Sequence, residues 1–265
     1  MTEAARETSV PPGQAGELGW LRQRYEIKYL LRHRDLAALR QRLTQYMKLD
    51  HHGRSGDGTY FNHSIYFDNP RYHMYREKHE GLLERTKPRL RTYRAGPNAP
   101  ASTIFLEMKN RHDRIVHKDR VSVSRQLAER LLRPSSLDYD HEVAGSETLS
   151  KFYYLVQRFG LEPQVAVLYN REAYLSDLYP NLRITFDTRL QCSRVASLDS
   201  PPSAFRYVLP PNRLVLEIKY NEAIPKIVLR DIEAFGLQQA TYSKFASSME
   251  CNADAGGNIF RSYFN

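Results

Sequence analysis

The sequence predicts an α+β fold in which a mainly antiparallel sheet, curled into a β-barrel, carries helices on its outside. Three observations predict it. Strand-like segments outnumber helical ones, and most of their links are too short for the crossovers that parallel strands need. Several strands alternate an apolar face with a face that mixes carboxylates and cations. The triplet Glu-x-Lys recurs at Glu26-Ile-Lys28, Glu107-Met-Lys109 and Glu217-Ile-Lys219, each time among alternating apolar positions. An open sheet with one solvated face fits the same alternation. The barrel is favoured because both signs of charge are concentrated on the strands, as an enclosed charged lumen requires.

Taken in order, residues 1–20 are rich in Pro, Gly, Ala and Glu without an apolar period, and read as a disordered leader. Residues 21–251 read as one domain, since no linker divides them, and 252–265 as a loose tail. The first strand is expected over 22–31. A helix follows over 35–47, with Leu36, Leu39, Leu43 and Met47 on one stripe. Residues 51–59 hold three glycines and read as a loop. Strands are expected over 63–68 and 87–94, with a helical turn between them. Two more strands cover 103–111 and 114–123. Ser124 suits a helix N-cap, and residues 134–146 read as loop. Leu149, Phe152, Tyr153 and Val156 stripe a helix over 147–159, which Gly160 ends. Strands are then expected over 162–175, 182–190 and 213–220, with 205–209 pairing at an edge. Pro225 suits the first turn of a helix, and a last helix covers 243–250.

The charge balance bounds the chemistry. Among 265 residues, 39 Lys and Arg face 30 Asp and Glu, a formal net charge of +9. That excess suggests an anionic partner: nucleic acid, a phosphorylated small molecule or a membrane surface. Nucleic acid rests on the charge alone and is not expected. Only Cys192 and Cys251 are present, which excludes a disulfide framework and a cysteine metal cluster. No signal-peptide pattern and no apolar run near the roughly 20 residues of a membrane helix is found, so a cytoplasmic protein is expected.

The strand 87–94 shows the candidate site most plainly. Alternation puts Lys87, Arg89 and Arg91 on one face and Leu90 and Thr92 on the other. Like charges side by side repel, so such a row implies something anionic opposite it. Read together, Lys28, Lys87, Arg89, Arg91, Lys109, Arg171, Arg183 and Lys219 are candidate inward cations. Glu26, Glu107, Asp187 and Glu217 are candidate inward anions. Any one of them alone reads more readily as a surface residue or a structural ion pair; the shared alternation makes the case. Arg grips phosphate oxygens as a planar fork and Lys as a point charge. The carboxylates suit Mg²⁺ or Mn²⁺, which bridge substrate phosphates. The set fits phosphoryl transfer, in which positioning and charge stabilisation do most of the catalysis. No Gly-rich phosphate loop is present, and the histidines show no metal-binding spacing. Most of the tyrosines are expected on the apolar faces.

The runs Ser64-Ile-Tyr-Phe-Asp-Asn-Pro70, Tyr75-Arg-Glu-Lys78, Arg89-Leu-Arg-Thr-Tyr93, Leu106-Glu-Met-Lys109, Tyr169-Asn-Arg-Glu-Ala-Tyr174, Arg183-Ile-Thr-Phe-Asp-Thr188, Leu216-Glu-Ile-Lys219 and Tyr242-Ser-Lys-Phe245 resemble, in order, the polyphosphate polymerase domain of the vacuolar transporter chaperone (VTC) family. That family belongs to the triphosphate tunnel metalloenzymes. The resemblance implies an antiparallel barrel with a charged lumen. It implies transfer of the terminal phosphate of a nucleoside triphosphate, ATP by expectation, onto polyphosphate, with Mn²⁺ or Mg²⁺. Lys28, Arg89, Arg91, Lys109, Arg171 and Lys244 would hold phosphates and Glu217 the metal. Two positions depart from the family pattern: Arg24 replaces a first-strand Glu, and Thr241 replaces a Lys. Any membrane partner would be a separate polypeptide. A metal-dependent triphosphatase and a non-catalytic polyphosphate or inositol-phosphate sensor are the alternatives. Removing Arg89 or Arg91 is expected to relieve repulsion and raise stability.

Overall fold

The structure, a computed structural model, describes residues 25–53, 58–94, 103–112, 115–194, 197–198 and 205–254. The leader expected over 1–20, Arg24 and nearly all of the expected tail lie outside the described residues.

The strands are β1 (Tyr25–Arg32), β2 (Lys48–Leu49), β3 (Thr59–Asp68), β4 (Glu84–Arg94), β5 (Ile104–His112), β6 (Ile115–Val123), β7 (Glu162–Leu175), β8 (Arg183–Ser193), β9 (Arg206–Tyr207) and β10 (Arg213–Tyr220). The helices are α1 (Leu36–Leu43), α2 (His73–His79), α3 (Arg125–Leu131), α4 (His141–Ala144), α5 (Glu147–Phe159), α6 (Lys226–Ala234) and α7 (Lys244–Asp254). The path of the sheet is β1-β10-β8-β7-β3-β4-β5-β6, with β2 beside β7 and β9 beside β8. Each pair is antiparallel. Among the described residues no ladder joins β6 to β1, so the sheet is curled but not closed by backbone pairing. The edge of β1 is taken instead by the chain ahead of α7. Gln239 bridges to Tyr29, and the Ala240 N–H donates to the Lys28 carbonyl at 2.8 Å. The curl is nonetheless tight enough for Lys109 on β5 to reach Glu26 on β1 at 3.3 Å.

The apolar strand faces turn outward under helices. Phe67, Leu90, Leu106 and Val165 pack with Leu127 of α3, Phe152 of α5 and Met249 of α7 in one cluster. Tyr29, Leu31, Ile184 and Leu216 pack with Leu39 of α1 and Val228 of α6 in another. Fully burying a side chain such as Leu39 or Phe152 stabilises the fold by about 1.5–3 kcal/mol. Both clusters follow from the predicted stripes. The caps also form where expected: Ser124 Oγ accepts the Leu127 N–H at 3.0 Å, and Gly160 ends α5 with φ of 64°.

Some elements departed from expectation. β3 begins at Thr59 rather than 63, because its first residues set two aromatics, Tyr60 and Phe61, side by side and so break the hydropathy alternation. The expected loop 134–146 contains α4, a single turn held by the Asp140 carboxylate, which accepts the N–H groups of Glu142 and Val143 at 3.0 Å each. One turn is too short to show an apolar period. The last helix runs past 250 to Asp254.

Candidate functional site

The concave face of the sheet holds a cavity of about 570 Å³. Strand alternation aims its lining. On β4, Lys87, Arg89 and Arg91 point into the cavity while Leu90 and Thr92 are fully buried in the core behind. β1 contributes Glu26 and Lys28, β5 Lys109, β7 Arg171, and β10 Glu217 and Lys219. Lys244, the first residue of α7, enters from the chain that crosses β1. The Lys28 ammonium helps fix that crossing by donating to the Tyr242 carbonyl at 2.9 Å.

Ten of the sequence-predicted residues therefore meet in one cavity: Lys28, Lys87, Arg89, Arg91, Lys109, Arg171, Lys219, Lys244, Glu26 and Glu217. Three do not line it. Arg183 donates to Asp50 Oδ2 at 2.9 Å and to the Tyr60 hydroxyl at 3.3 Å. Glu107 and Asp187 are fully buried behind the cations they serve.

The charges form a braced network. Arg89 donates from Nε and Nη2 to Glu107 Oε2 at 2.8 and 2.7 Å. The same carboxylate lies within 3.7 Å of Arg91 and 3.3 Å of both Lys118 and Arg120. Arg171 pairs bidentately with Asp187 at 2.6 and 2.7 Å and reaches Glu217 at 3.3 Å. Lys244 lies 2.5 Å from Asp187 and 2.6 Å from Glu217. Glu26 is shared by Lys28, Lys109 and Lys219 at 3.1, 3.3 and 3.5 Å. Each carboxylate thus orients several cations. Arg89 is part of a buried pair, so its removal does not simply relieve repulsion as the sequence suggested.

Proton affinities follow from this geometry. Burial alone would raise Glu217, yet Lys244, Lys28, Arg171 and Lys219 hold it well below the usual carboxylate range. Glu26 is likewise held low, against burial, by Lys219, Lys109 and Lys28. Glu107 is held low, against burial, by Arg89, Arg91 and Lys118. Burial pushes the Lys219 ammonium down to about 8, with Glu26 and Glu217 opposing the fall. Burial, with Lys109, Lys28, Arg85 and Lys78 nearby, pushes Lys87 down to about 7.

Sequence reasoning missed several members. Tyr66 and Tyr169 lie on the charged face, not the apolar one. The Tyr66 hydroxyl accepts from Arg89 at 2.9 Å, and the Tyr169 hydroxyl accepts from Arg91 at 3.3 Å. Alternation from Arg171 back to Tyr169 was the available signal. Lys78, Arg85 and Arg111 also line the cavity. Arg85 and Arg111 continue the same-face spacing from Lys87 and Lys109. Lys78 arrives on α2 and no strand pattern could place it.

The four predicted metal ligands divide into two kinds. Glu107 and Asp187 are enclosed by cations and do not face the cavity. Glu26 and Glu217 face it from neighbouring strands. Among the described residues no group of three or more His, Cys, Asp or Glu could hold a metal ion by itself. Two facing carboxylates do fit the habit of Mg²⁺, which takes one or two carboxylates and completes its shell with substrate phosphates and water. Among the described residues no helix is long and apolar enough to cross a membrane.

A family model described as the VTC domain matches residues 23–252. No curated protein matches the chain in sequence. Among solved structures, the PH1819 protein of Pyrococcus horikoshii OT3 is 13% identical with a TM-score of 0.44, covering 86% of this chain and 99% of that one. A protein described as a candidate adenylate cyclase from Bacillus halodurans is 12% identical with a TM-score of 0.46, covering 92% and 98%. Another, from Vibrio parahaemolyticus, is 11% identical with a TM-score of 0.42, covering 84% and 95%. Likenesses this remote say nothing about substrate.

Proposed function

The chain belongs to the VTC domain family, and from that premise we propose that its cavity transfers the terminal phosphate of ATP onto the end of a polyphosphate chain. The observation that carries the reading is the convergence of Lys28, Arg89, Arg91, Lys109, Arg171 and Lys244 on one cavity. Phosphoryl transfer passes through a loose transition state with charge spread over the phosphoryl oxygens. Preformed donors that already face the cavity stabilise that charge without reorganising. Arg89 and Arg171 are held by Glu107 and Asp187, so their forks are fixed before substrate arrives.

In the step proposed, the bond from the γ-phosphorus to its bridging oxygen breaks and ADP leaves. A terminal oxygen of the polyphosphate chain forms the new P–O bond. That oxygen is already anionic, so no base has to remove a proton. Water as acceptor would need one. Glu26 and Glu217 are poor candidates, since the surrounding lysines hold both well below the usual carboxylate range. Glu26 and Glu217 would hold a divalent ion together with the triphosphate, and the ion would neutralise charge on the phosphates. Titration of Mn²⁺ should then reveal binding only when a non-hydrolysable ATP analogue is present.

Incubation of the protein with ATP and Mn²⁺ tests the reaction. Long acid-labile polymer is the expected product. Orthophosphate alone would assign the cavity to hydrolysis, and tight polyphosphate binding without turnover would assign it to sensing.

A further inference from the structure

The cavity wall formed by β4, β5 and β6 changes character along its length. At one rung Arg89 faces Glu107, which faces Arg120, so cations and a carboxylate alternate. At the next rung Lys87 faces Lys109, which faces Lys118. One rung further, Arg85 faces Arg111. Like charges directly opposite each other destabilise a sheet. Glu26 answers Lys109 and Glu107 answers Lys118, at 3.3 Å each, whereas Arg85 and Lys87, both lining the cavity, have no carboxylate within ion-pair distance among the described residues.

The third wall of this region makes the excess larger. Lys78, in the last turn of α2, lines the same end of the cavity and its carbonyl receives a hydrogen bond from Arg85 at 3.4 Å. Among the described residues Lys78, Arg85 and Lys87 make no ion pair. The sole hydrogen bond from the Lys87 ammonium found there goes to Ser243 Oγ at 3.3 Å. By contrast Arg89, Arg171 and Lys244 each touch a buried carboxylate. Side chains two residues apart on a strand are about 6.6 Å apart along it. The row Arg85, Lys87, Arg89 and Arg91 therefore extends for about 20 Å, longer than three linked phosphates. A nucleoside triphosphate held by the braced cations leaves the outer part of the row unused.

We propose that Lys78, Arg85 and Lys87 form a separate outer subsite that holds the acceptor polyphosphate, while the carboxylate-braced cations hold the donor triphosphate. This assignment rests on the phosphotransferase reading above. A donor site alone does not call for the outer cluster. A second polyanion, whose end must lie beside the γ-phosphate, does.

The test compares two ligands on the full chain, long-chain sodium polyphosphate and the ATP analogue adenylyl imidodiphosphate, by calorimetric titration. The variants are Lys87→Met and the triple variant Lys78→Gln, Arg85→Gln, Lys87→Met. Polyphosphate affinity is expected to fall at least tenfold more than analogue affinity, and Lys87→Arg should recover most of it. Equal loss for both ligands would place these residues in the donor site and overturn the proposal. No loss for either would make them ordinary surface cations and overturn it too. If the wild type makes no polymer but the differential loss is seen, the outer subsite stands and the polymerase reading falls. If polymer is made and the differential is absent, the reverse holds.

Discussion

Replacing Lys87 by Met is expected to stabilise the ligand-free protein. The side chain keeps its length and its packing beside Phe245, whose ring centre lies 5.5 Å from the ammonium. What disappears is a charge that burial, and then Lys109, Lys28, Arg85 and Lys78, push from 10.5 down to about 7. Each pH unit of that depression is worth ~1.4 kcal/mol, so the whole would cost ~5 kcal/mol where the amine is fully charged. The cavity opens to water, and screening reduces the expected cost to ~1–2 kcal/mol. In a chain of this size ~1 kcal/mol moves the melting temperature by roughly 2–4 °C. Lys87→Met should therefore melt about 2–8 °C higher at low salt and about pH 6. The sign of the pH dependence is fixed. Between about 7 and 10.5 the unfolded chain binds more protons at this lysine than the folded one, so its cost to the wild type falls as pH rises through that window. The advantage of the variant should shrink toward pH 10 and in high salt. Calorimetric melts at both pH values decide it. A variant that melts lower throughout, or an advantage independent of pH, would refute the reasoning.

Three further predictions concern the braced cations. Arg89→Ala and Arg91→Ala should each weaken tripolyphosphate binding roughly ten- to hundredfold, the worth of a charge-assisted contact of about 1.5–3 kcal/mol. Arg89→Lys should recover only part, because the fork is lost; full recovery in a binding titration would show that charge alone matters. Arg89→Ala should not raise the ligand-free melting temperature, since it breaks the pair with Glu107. Glu107→Gln keeps the shape but strips the carboxylate from beneath Arg89, Arg91, Lys118 and Arg120. Removing one partner of a buried ionic cluster costs about 3–5 kcal/mol, and urea unfolding should register most of that; an unchanged midpoint would show that Glu107 braces nothing. Glu217→Gln should lower both turnover and melting temperature, because Lys28, Arg171, Lys219 and Lys244 lose a shared partner. Tripolyphosphate should restore more of the lost melting temperature in this variant than it adds to the wild type, and a smaller gain would show that those four cations do not answer to the ligand.

The sequence by itself determined the long strands, the main helix stripes and the charged character of one face of those strands. These are local properties: a two-residue or 3.6-residue period is written in neighbouring positions, and charge on one strand face has nowhere else to go. That is why Lys28, Arg89, Arg91, Lys109, Arg171 and Glu217 could be assigned to one cavity before any contact was known. The tertiary structure decided everything that depends on which strand lies beside which. Register made Glu107 the partner of Arg89 and Arg120 while setting Lys87 against Lys109, although Glu107 and Lys109 are two residues apart on one strand. The same curl closed Glu26 onto Lys109 without a ladder between β1 and β6, because the chain at 239–240 occupies the β1 edge. Arg183 left the expected set because β2, two residues long and without a sequence signal, leads into Asp50, its ionic partner. Pairing across the sheet is a long-range property, and in this protein it sets Arg89 against a carboxylate and Lys87 against another cation.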